Sequence, residues 1–192
     1  MKETIKTAVT LLVIAAIAGG LLSAIHSVTK PIIDENARIA SLAKYTEIYG
    51  DGADNFEDLD AETMNSISEK YPNVHKVMTA TKNGEIVGYV FNVLSSGYDG
   101  KMDNALIINT EGEIVGFRNL AHTETPGFGD RITTPEFYEV FQGKSANTEL
   151  KATADGAGDD EFMAISGATI STNAVLRGVN EVISAYNEFF AN

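Results

Sequence analysis

With 192 residues, 27 acidic against 14 basic side chains and a formal net charge of −13, the chain can hold one membrane segment and a single soluble domain, and its surface repels nucleic acid. The lack of cysteine excludes disulfides, thiolate zinc sites and cysteine-ligated iron–sulfur clusters, so redox chemistry here requires a bound organic cofactor. His26, His75 and His122 are far apart in sequence and offer no metal-ligand spacing, so no metal site is expected.

The first element is an uncharged run from Ala8 to Ile25, in which only Thr10 and Ser23 carry polar side chains. As a helix this run spans roughly 27 Å, close to the ~30 Å thickness of a bilayer core. A cleavable signal peptide is the competing reading, because Lys2 and Lys6 lead into an apolar stretch that ends in the small residues Ser23 and Ala24. The stretch exceeds the roughly 7 to 15 residues of a signal core, so residues 1–30 read as an uncleaved, single-pass anchor in the cell membrane. Lys2, Lys6 and the α-amino group favour an N-terminus inside the cell and a soluble domain outside the cytoplasm, against the opposing pull of Lys30, Arg38 and Lys44.

Residues 31–73 read as a stalk helix and an acidic connection. Pro31 suits the first turn of a helix continuing to Tyr49, and Gly50 to Asp60 is acidic and turn-rich, as expected of a solvated loop. Residues 74–192 then form the folded domain. Two apolar strings flanking Asn83-Gly84 predict a hairpin with a two-residue turn, and Gly84 to Tyr89 is echoed by Gly112 to Phe117, which predicts a second hairpin in the same antiparallel sheet. Between the hairpins, Ser95 to Gly100 is a glycine-rich loop. Thr134-Pro135 predicts the start of a short helix with Phe137, Val140 and Phe141 on one face and Gly143 at its end. The last element is an amphipathic helix from about Asn173 to Phe190, with Val175, Val179, Val182, Ile183 and Tyr186 facing the core. Strands followed by packed helices make an α+β domain.

Ile165 to Thr172 is a run of small and hydroxyl residues opening that last helix. Such a place gathers unpaired backbone N–H groups at the positive end of the helix dipole and suits a phosphate. A plain cap by Ser171 or Thr172 explains the same string, and the residues alone leave both readings open.

The strings Ser166-Gly167-Ala168-Thr169 with Ile170-Ser171-Thr172, and His122-Thr123-Glu124-Thr125-Pro126-Gly127-Phe128-Gly129 upstream, resemble the FMN-binding domain family. This family is shared by the G subunit of Rnf-type electron transport complexes and the C subunit of the sodium-pumping NADH:quinone reductases, and the overall length favours the Rnf protein. The resemblance implies that Thr169 is esterified by the phosphate of FMN, delivered from FAD by a separate flavin transferase. Met163 stands where the family usually has an acidic residue, with Asp159, Asp160 and Glu161 just upstream.

On this reading the amides from Gly167 through Ala168 to Ser171, with the hydroxyls of Ser166 and Thr172, hold the phosphate charge. At least one of His122, Glu124 and Thr125 touches the cofactor, brought near by a type II turn at Pro126-Gly127. The flavin does the electron transfer, and no independent catalytic acid or base is expected. The implied function is an electron-transfer subunit of a membrane-bound, ion-translocating ferredoxin:NAD oxidoreductase, working beside other subunits of the complex. The alternatives are a free-standing anchored flavoprotein facing out of the cytoplasm, and an anchored binding module without flavin.

The anchor leads to a direct expectation: the full-length chain requires detergent and keeps its N-terminal segment. Intact mass and N-terminal sequencing of the purified protein check this, and a mature N-terminus near Ile25 or His26 would overturn it.

Overall fold

The computed structural model describes residues 2–156 and 158–191, which divide into two units between Leu42 and Ala43. The first helix, α1 (Lys2–Tyr49), runs through that boundary. Up to residue 40 it is a helix with exposed side chains, and it contains the segment long and apolar enough to cross a membrane. Its hydroxyls turn back on the helix: Thr7 donates to the carbonyl of Glu3, Thr10 to Lys6 and Ser27 to Ser23, at 2.9–3.1 Å. These bonds satisfy polar groups that lipid could not. Beyond the apolar run, Lys30 pairs with Asp34 and Arg38 with Glu35, both at 2.9 Å on the helix surface.

Pro31 lies inside α1, where the sequence suggested the first turn of a separate helix. A proline removes one backbone hydrogen bond, and the helical bonds on either side carry the element through.

The second unit is built on a five-stranded antiparallel sheet in the order β1 (Asn55–Asp58), β2 (Val74–Lys82), β3 (Glu85–Ser96), β4 (Lys101–Asn109) and β5 (Ile114–Ala121). The first expected hairpin is present: Lys82 faces Glu85, and Asn83 and Gly84 have φ of 52° and 83°, the left-handed pair that a type I′ turn requires. The second joins β4 to β5. Both faces of the sheet are covered. On one, Phe91 and Val93 of β3 and Leu106 and Ile108 of β4 belong to the main core with the last helix, α4 (Thr169–Phe189). On the other, the end of α1 lies on the sheet, with Tyr45 donating to Asn92 Oδ1 at 2.9 Å. Gly88 and Gly116 have no room for a Cβ beneath Tyr49 and Ile48, so these two glycines set how closely that helix end approaches. Burial on both faces is why the centre of β4 reads as the continuous apolar string Ala105 to Ile108.

Three segments differ from the sequence reading. The acidic stretch expected as a solvated loop contains β1, an edge strand whose carboxylates face water, and it is followed by α2 (Ala61–Lys70). Asp60 caps α2 by accepting from Thr63 N–H at 2.9 Å, and Ile67 is fully buried. The compact unit therefore takes in β1, α2 and the end of α1. A two-stranded parallel ladder, β6 (Lys151–Thr153) with β7 (Glu161–Met163), had no sequence signal. Finally, α4 starts at Thr169 and not near Asn173, while its apolar stripe falls on the core as expected.

The helix α3 (Pro135–Tyr138) begins at the expected proline, but the Thr134 hydroxyl donates to the Arg131 carbonyl at 2.9 Å instead of capping it. It continues as a short 3₁₀ turn, Glu139–Phe141, which drives Phe141 into a cluster with Phe117, Phe137 and Phe162.

Replacing Tyr45 by phenylalanine leaves the buried Asn92 carbonyl oxygen without its donor. The expected loss is about 1–3 kcal/mol. Thermal unfolding of the full chain in detergent, followed by circular dichroism, should show a lower midpoint with the flavin-independent fold otherwise retained.

Candidate functional site

Three segments converge beside the N-terminus of α4 to form an open cleft of about 470 Å³. The first is the loop between β3 and β4. Gly97 N–H donates to the Gly100 carbonyl at 2.8 Å, and the turn leaves the Tyr98 side chain 70% exposed at the cleft edge. Gly100 has φ of 139°, and a side chain there would strike Thr123, whose hydroxyl donates to the Asp99 carbonyl at 2.7 Å.

The second segment follows β5. The Thr125 carbonyl accepts from Phe128 N–H at 3.2 Å, and Gly127 has φ of 79°. With Pro126 ahead of it, this is the type II turn that the Pro-Gly pair suggests. The turn presents Phe128, 58% exposed, against Gly167.

The third segment is the start of α4. Gly167 has φ of 80°, Ala168 is the last residue before the helix, and Thr169 is the first within it, with its side chain exposed in the cleft. Thr172 sets this start. Its buried hydroxyl donates to the Ala168 carbonyl at 3.0 Å and accepts from Ile165 N–H at 3.1 Å, folding the preceding residues over the first turn. The first backbone bond of the turn runs from Thr172 N–H to the Ala168 carbonyl at 2.9 Å. The amides of Thr169, Ile170 and Ser171 precede that bond and are left without helical partners. No acidic residue occupies the first turn, so the positive end of a 21-residue helix opens on the cleft uncompensated from within the helix.

Glu124 joins all three segments. Its side chain is only 4% exposed. Oε1 accepts from the backbone N–H groups of Tyr98 at 2.8 Å and Asp99 at 3.2 Å, and Oε2 accepts from the Ser171 hydroxyl at 2.5 Å. Gly97 and Gly129 leave the space that the carboxylate fills, since a Cβ at either would collide with it.

Of the residues singled out from the sequence, Glu124, Thr125, Gly167, Ala168, Thr169 and Ser171 meet in this cleft. Ser166, Gly127, Thr172 and His122 do not line it. Ser166 is exposed beside it, its carbonyl accepting from Arg131 at 3.4 Å, and Gly127 shapes the turn. Neither Ser171 nor Thr172 caps α4, for the hydroxyl of one goes to Glu124 and that of the other to Ala168. His122 accepts from Glu124 N–H through Nδ1 at 3.1 Å, and its ring borders a separate depression with Lys44, Arg118 and Tyr138. There Lys44 donates to the carbonyls of Asn119 and Leu120, and burial holds its amine below the usual lysine range. Among the described residues no three metal-ligating side chains converge.

Sequence reasoning missed Tyr98, Phe128, Gly129 and Ile170 as cleft residues. Tyr98 was visible as the one aromatic in the glycine-rich loop. Phe128 and Gly129 end the string that carries the family resemblance, and Ile170 follows the threonine directly.

The chain is similar to proteins of a known family. The profile of the FMN-binding domain matches residues 97–184, which contain the whole cleft, and that of the RnfG N-terminal region matches residues 1–48. The G subunit of the Na(+)-translocating ferredoxin:NAD(+) oxidoreductase complex of Acetobacterium woodii is 34% identical, the alignment covering 96% of this chain and 92% of that one. The G subunit of the ion-translocating oxidoreductase complex of Methanosarcina acetivorans is 31% identical, with 95% and 94% covered. In Clostridium ljungdahlii the corresponding protein, named as the G subunit of a proton-translocating ferredoxin:NAD(+) oxidoreductase complex, is 26% identical over 90% and 86%. Among solved structures, the C subunit of the Na(+)-translocating NADH-quinone reductase of Parabacteroides distasonis shares the fold with a TM-score of 0.57 and 22% identity, covering 73% of this chain and 79% of that one. The chain belongs to the family formed by the G subunits of ion-translocating oxidoreductase complexes, and its soluble unit has the α+β fold of the FMN-binding domain.

Proposed function

We propose that this chain is the electron-carrying subunit of a membrane-bound, ion-translocating ferredoxin:NAD oxidoreductase, and that it carries one FMN joined through its phosphate to Thr169. The observation that carries the reading is the placement of Thr169: an exposed hydroxyl on the first residue of a long helix, in a cleft sized for a small molecule. Small-molecule sites are typically ~300–1,000 Å³, apolar with a few convergent polar groups. Here Tyr98, Phe128 and Ile170 offer apolar surface for a flat ring, and the unpaired amides of the first helical turn offer hydrogen bonds to a phosphodiester. This division suits FMN.

Attachment forms a bond from Thr169 Oγ1 to the phosphorus of the FMN half of FAD. The pyrophosphate bond breaks, AMP leaves, and the threonine proton is lost. A separate flavin transferase performs this step. Once bound, FMN supplies reversible electron transfer, and the chain supplies attachment, orientation and electrostatics. Thr169 fixes one end of the group, the helix terminus holds the phosphate charge, and the Pro126-Gly127 turn sets the position of Phe128.

The likeness of residues 1–48 to the RnfG N-terminal region favours membership of a multi-subunit complex over a free-standing flavoprotein. The apolar run contains no ionisable residue, so the ion path belongs to other subunits. The positive charges at Lys2 and Lys6 favour a soluble unit outside the cytoplasm. Because the chain has no cysteine, Glu69→Cys on the exposed face of α2 gives a single reporter. It should react with a membrane-impermeant maleimide on intact cells, and labelling seen only after lysis would reverse the orientation.

Coexpressed with a flavin transferase, the wild type should gain the mass of FMN less one water, mapped to Thr169 by peptide sequencing. Thr169→Ala removes the ester oxygen and leaves Thr172 and its two bonds in place, so flavin should be lost while the circular dichroism spectrum and melting midpoint change little. Thr169→Ser keeps the oxygen and should retain part of the flavin. A modified peptide bearing the group on Ser166, Ser171 or Thr172 would sink the assignment.

A further inference from the structure

Glu124 is a buried anion in the wall of the cleft. Among the described residues no lysine, arginine or histidine forms an ion pair with it, and its charge is met only by two backbone N–H groups and the Ser171 hydroxyl. Three neutral donors satisfy its hydrogen-bonding needs and leave its charge standing. A buried carboxylate is an expensive way to join a loop to a helix, because an uncharged amide of the same shape could make the same connections. Its hydrogen-bond partners include the amide of Tyr98 and the hydroxyl of Ser171, both cleft-lining residues, so a carboxylate with no cationic side-chain partner lies beside whatever the cleft holds.

We infer that Glu124 is a positioning and potential-setting residue: it holds the loop of Tyr98 and the first turn of α4 in register, and its fixed negative charge lowers the reduction potential of the flavin. This rests on the functional reading above. Reduction brings negative charge to the cofactor, and a fixed anion in a poorly hydrated wall opposes that charge more effectively than it would in water. A low potential suits a carrier in a chain that begins at a strong reductant such as ferredoxin.

Two substitutions separate the charge from the joint. In Glu124→Gln the side-chain oxygen still accepts from Tyr98 and Asp99, and the amide nitrogen donates to Ser171, which reverses that bond without breaking it. The shape stays and the charge goes. Ser171→Ala does the converse, deleting one donor while the carboxylate keeps its charge. Both variants are produced as the full chain with a flavin transferase, and three quantities are read: covalent flavin per chain, melting midpoint, and the flavin midpoint potential by spectroscopic redox titration.

Both variants should carry enough covalent flavin for the titration. The potential should be raised in Glu124→Gln and lowered in Ser171→Ala, whose carboxylate loses a donor that spreads its charge. Equal potentials in a loaded wild type and a loaded Glu124→Gln overturn the inference, as does an upward shift of similar size in both variants, which would mark a purely structural role. A Glu124→Gln chain that melts like the wild type but takes up no flavin overturns it as well. If Glu124→Gln does not fold, Ser171→Ala decides alone: a raised or unchanged potential refutes the assignment, and a lowered one, from a carboxylate stripped of one donor, supports it. A wild type without flavin refutes the functional reading, and this inference falls with it.

Discussion

The hydroxyl of Thr172 fixes where the last helix begins, and the geometry of the cleft follows from that. By binding the Ala168 carbonyl and the Ile165 N–H together, it folds the preceding residues across the first turn and makes Thr169 the first helical residue. Gly167 makes this path possible, since the chain reverses there at φ of 80°, a conformation that costs an L side chain energy. A helix beginning four residues later, as the apolar periodicity alone suggested, would leave Thr169 in an irregular segment with no orphan amides beside it. The phosphate-suited end of the helix and the candidate ester oxygen coincide because one buried hydroxyl sets the register.

Features with strong local chemistry could be read from the sequence. Asn83-Gly84 demands a left-handed pair wherever two apolar strings flank it, and Pro126-Gly127 demands a type II turn, so both held in the structure. The stripe from Val175 to Tyr186 is long enough for its period to be unmistakable. What escaped reading is governed by contacts distant in sequence. β1 is an acidic four-residue edge strand, recognisable only through its pairing with β2. The ladder of β6 with β7 has three residues per strand, below any periodicity. The span of α1 through Pro31 runs against a strong local rule. The start of α4 depended on two hydroxyl residues, Ser171 and Thr172, each a reasonable cap, and both are drawn away from that role, one by Glu124 and the other by the backbone of Ile165 and Ala168.

The cleft itself was half legible. Its threonine and glycines lie in strings whose composition announces a turn meeting a helix. Its apolar walls do not. Tyr98 and Phe128 are single aromatics in loops, and nothing local distinguishes an aromatic placed on a cleft from one facing water. Glu124 was noticed for the string around it, yet its role changes once its partners are known. A carboxylate beside a Pro-Gly turn suggests contact with a ligand, and the structure adds a second part, since its oxygens also join the Tyr98 loop to Ser171 of α4.

Two opposing electrostatic elements therefore serve one short stretch of helix. Successive helical residues are rotated by roughly 100°, so Thr169 and Ser171 face directions about 200° apart. Thr169 is turned to solvent with the positive helix end around it, and Ser171 is turned inward to a buried negative charge. With FMN attached as proposed, the helix end would favour the anionic tether, while the buried carboxylate would oppose added charge on the flavin. A single positive environment would bind a phosphate well but would also raise the potential of an attached flavin. On the proposed attachment at Thr169, placing the two charges on opposite sides of one helical turn gives the phosphate the helix end and sets the carboxylate against charge on the flavin.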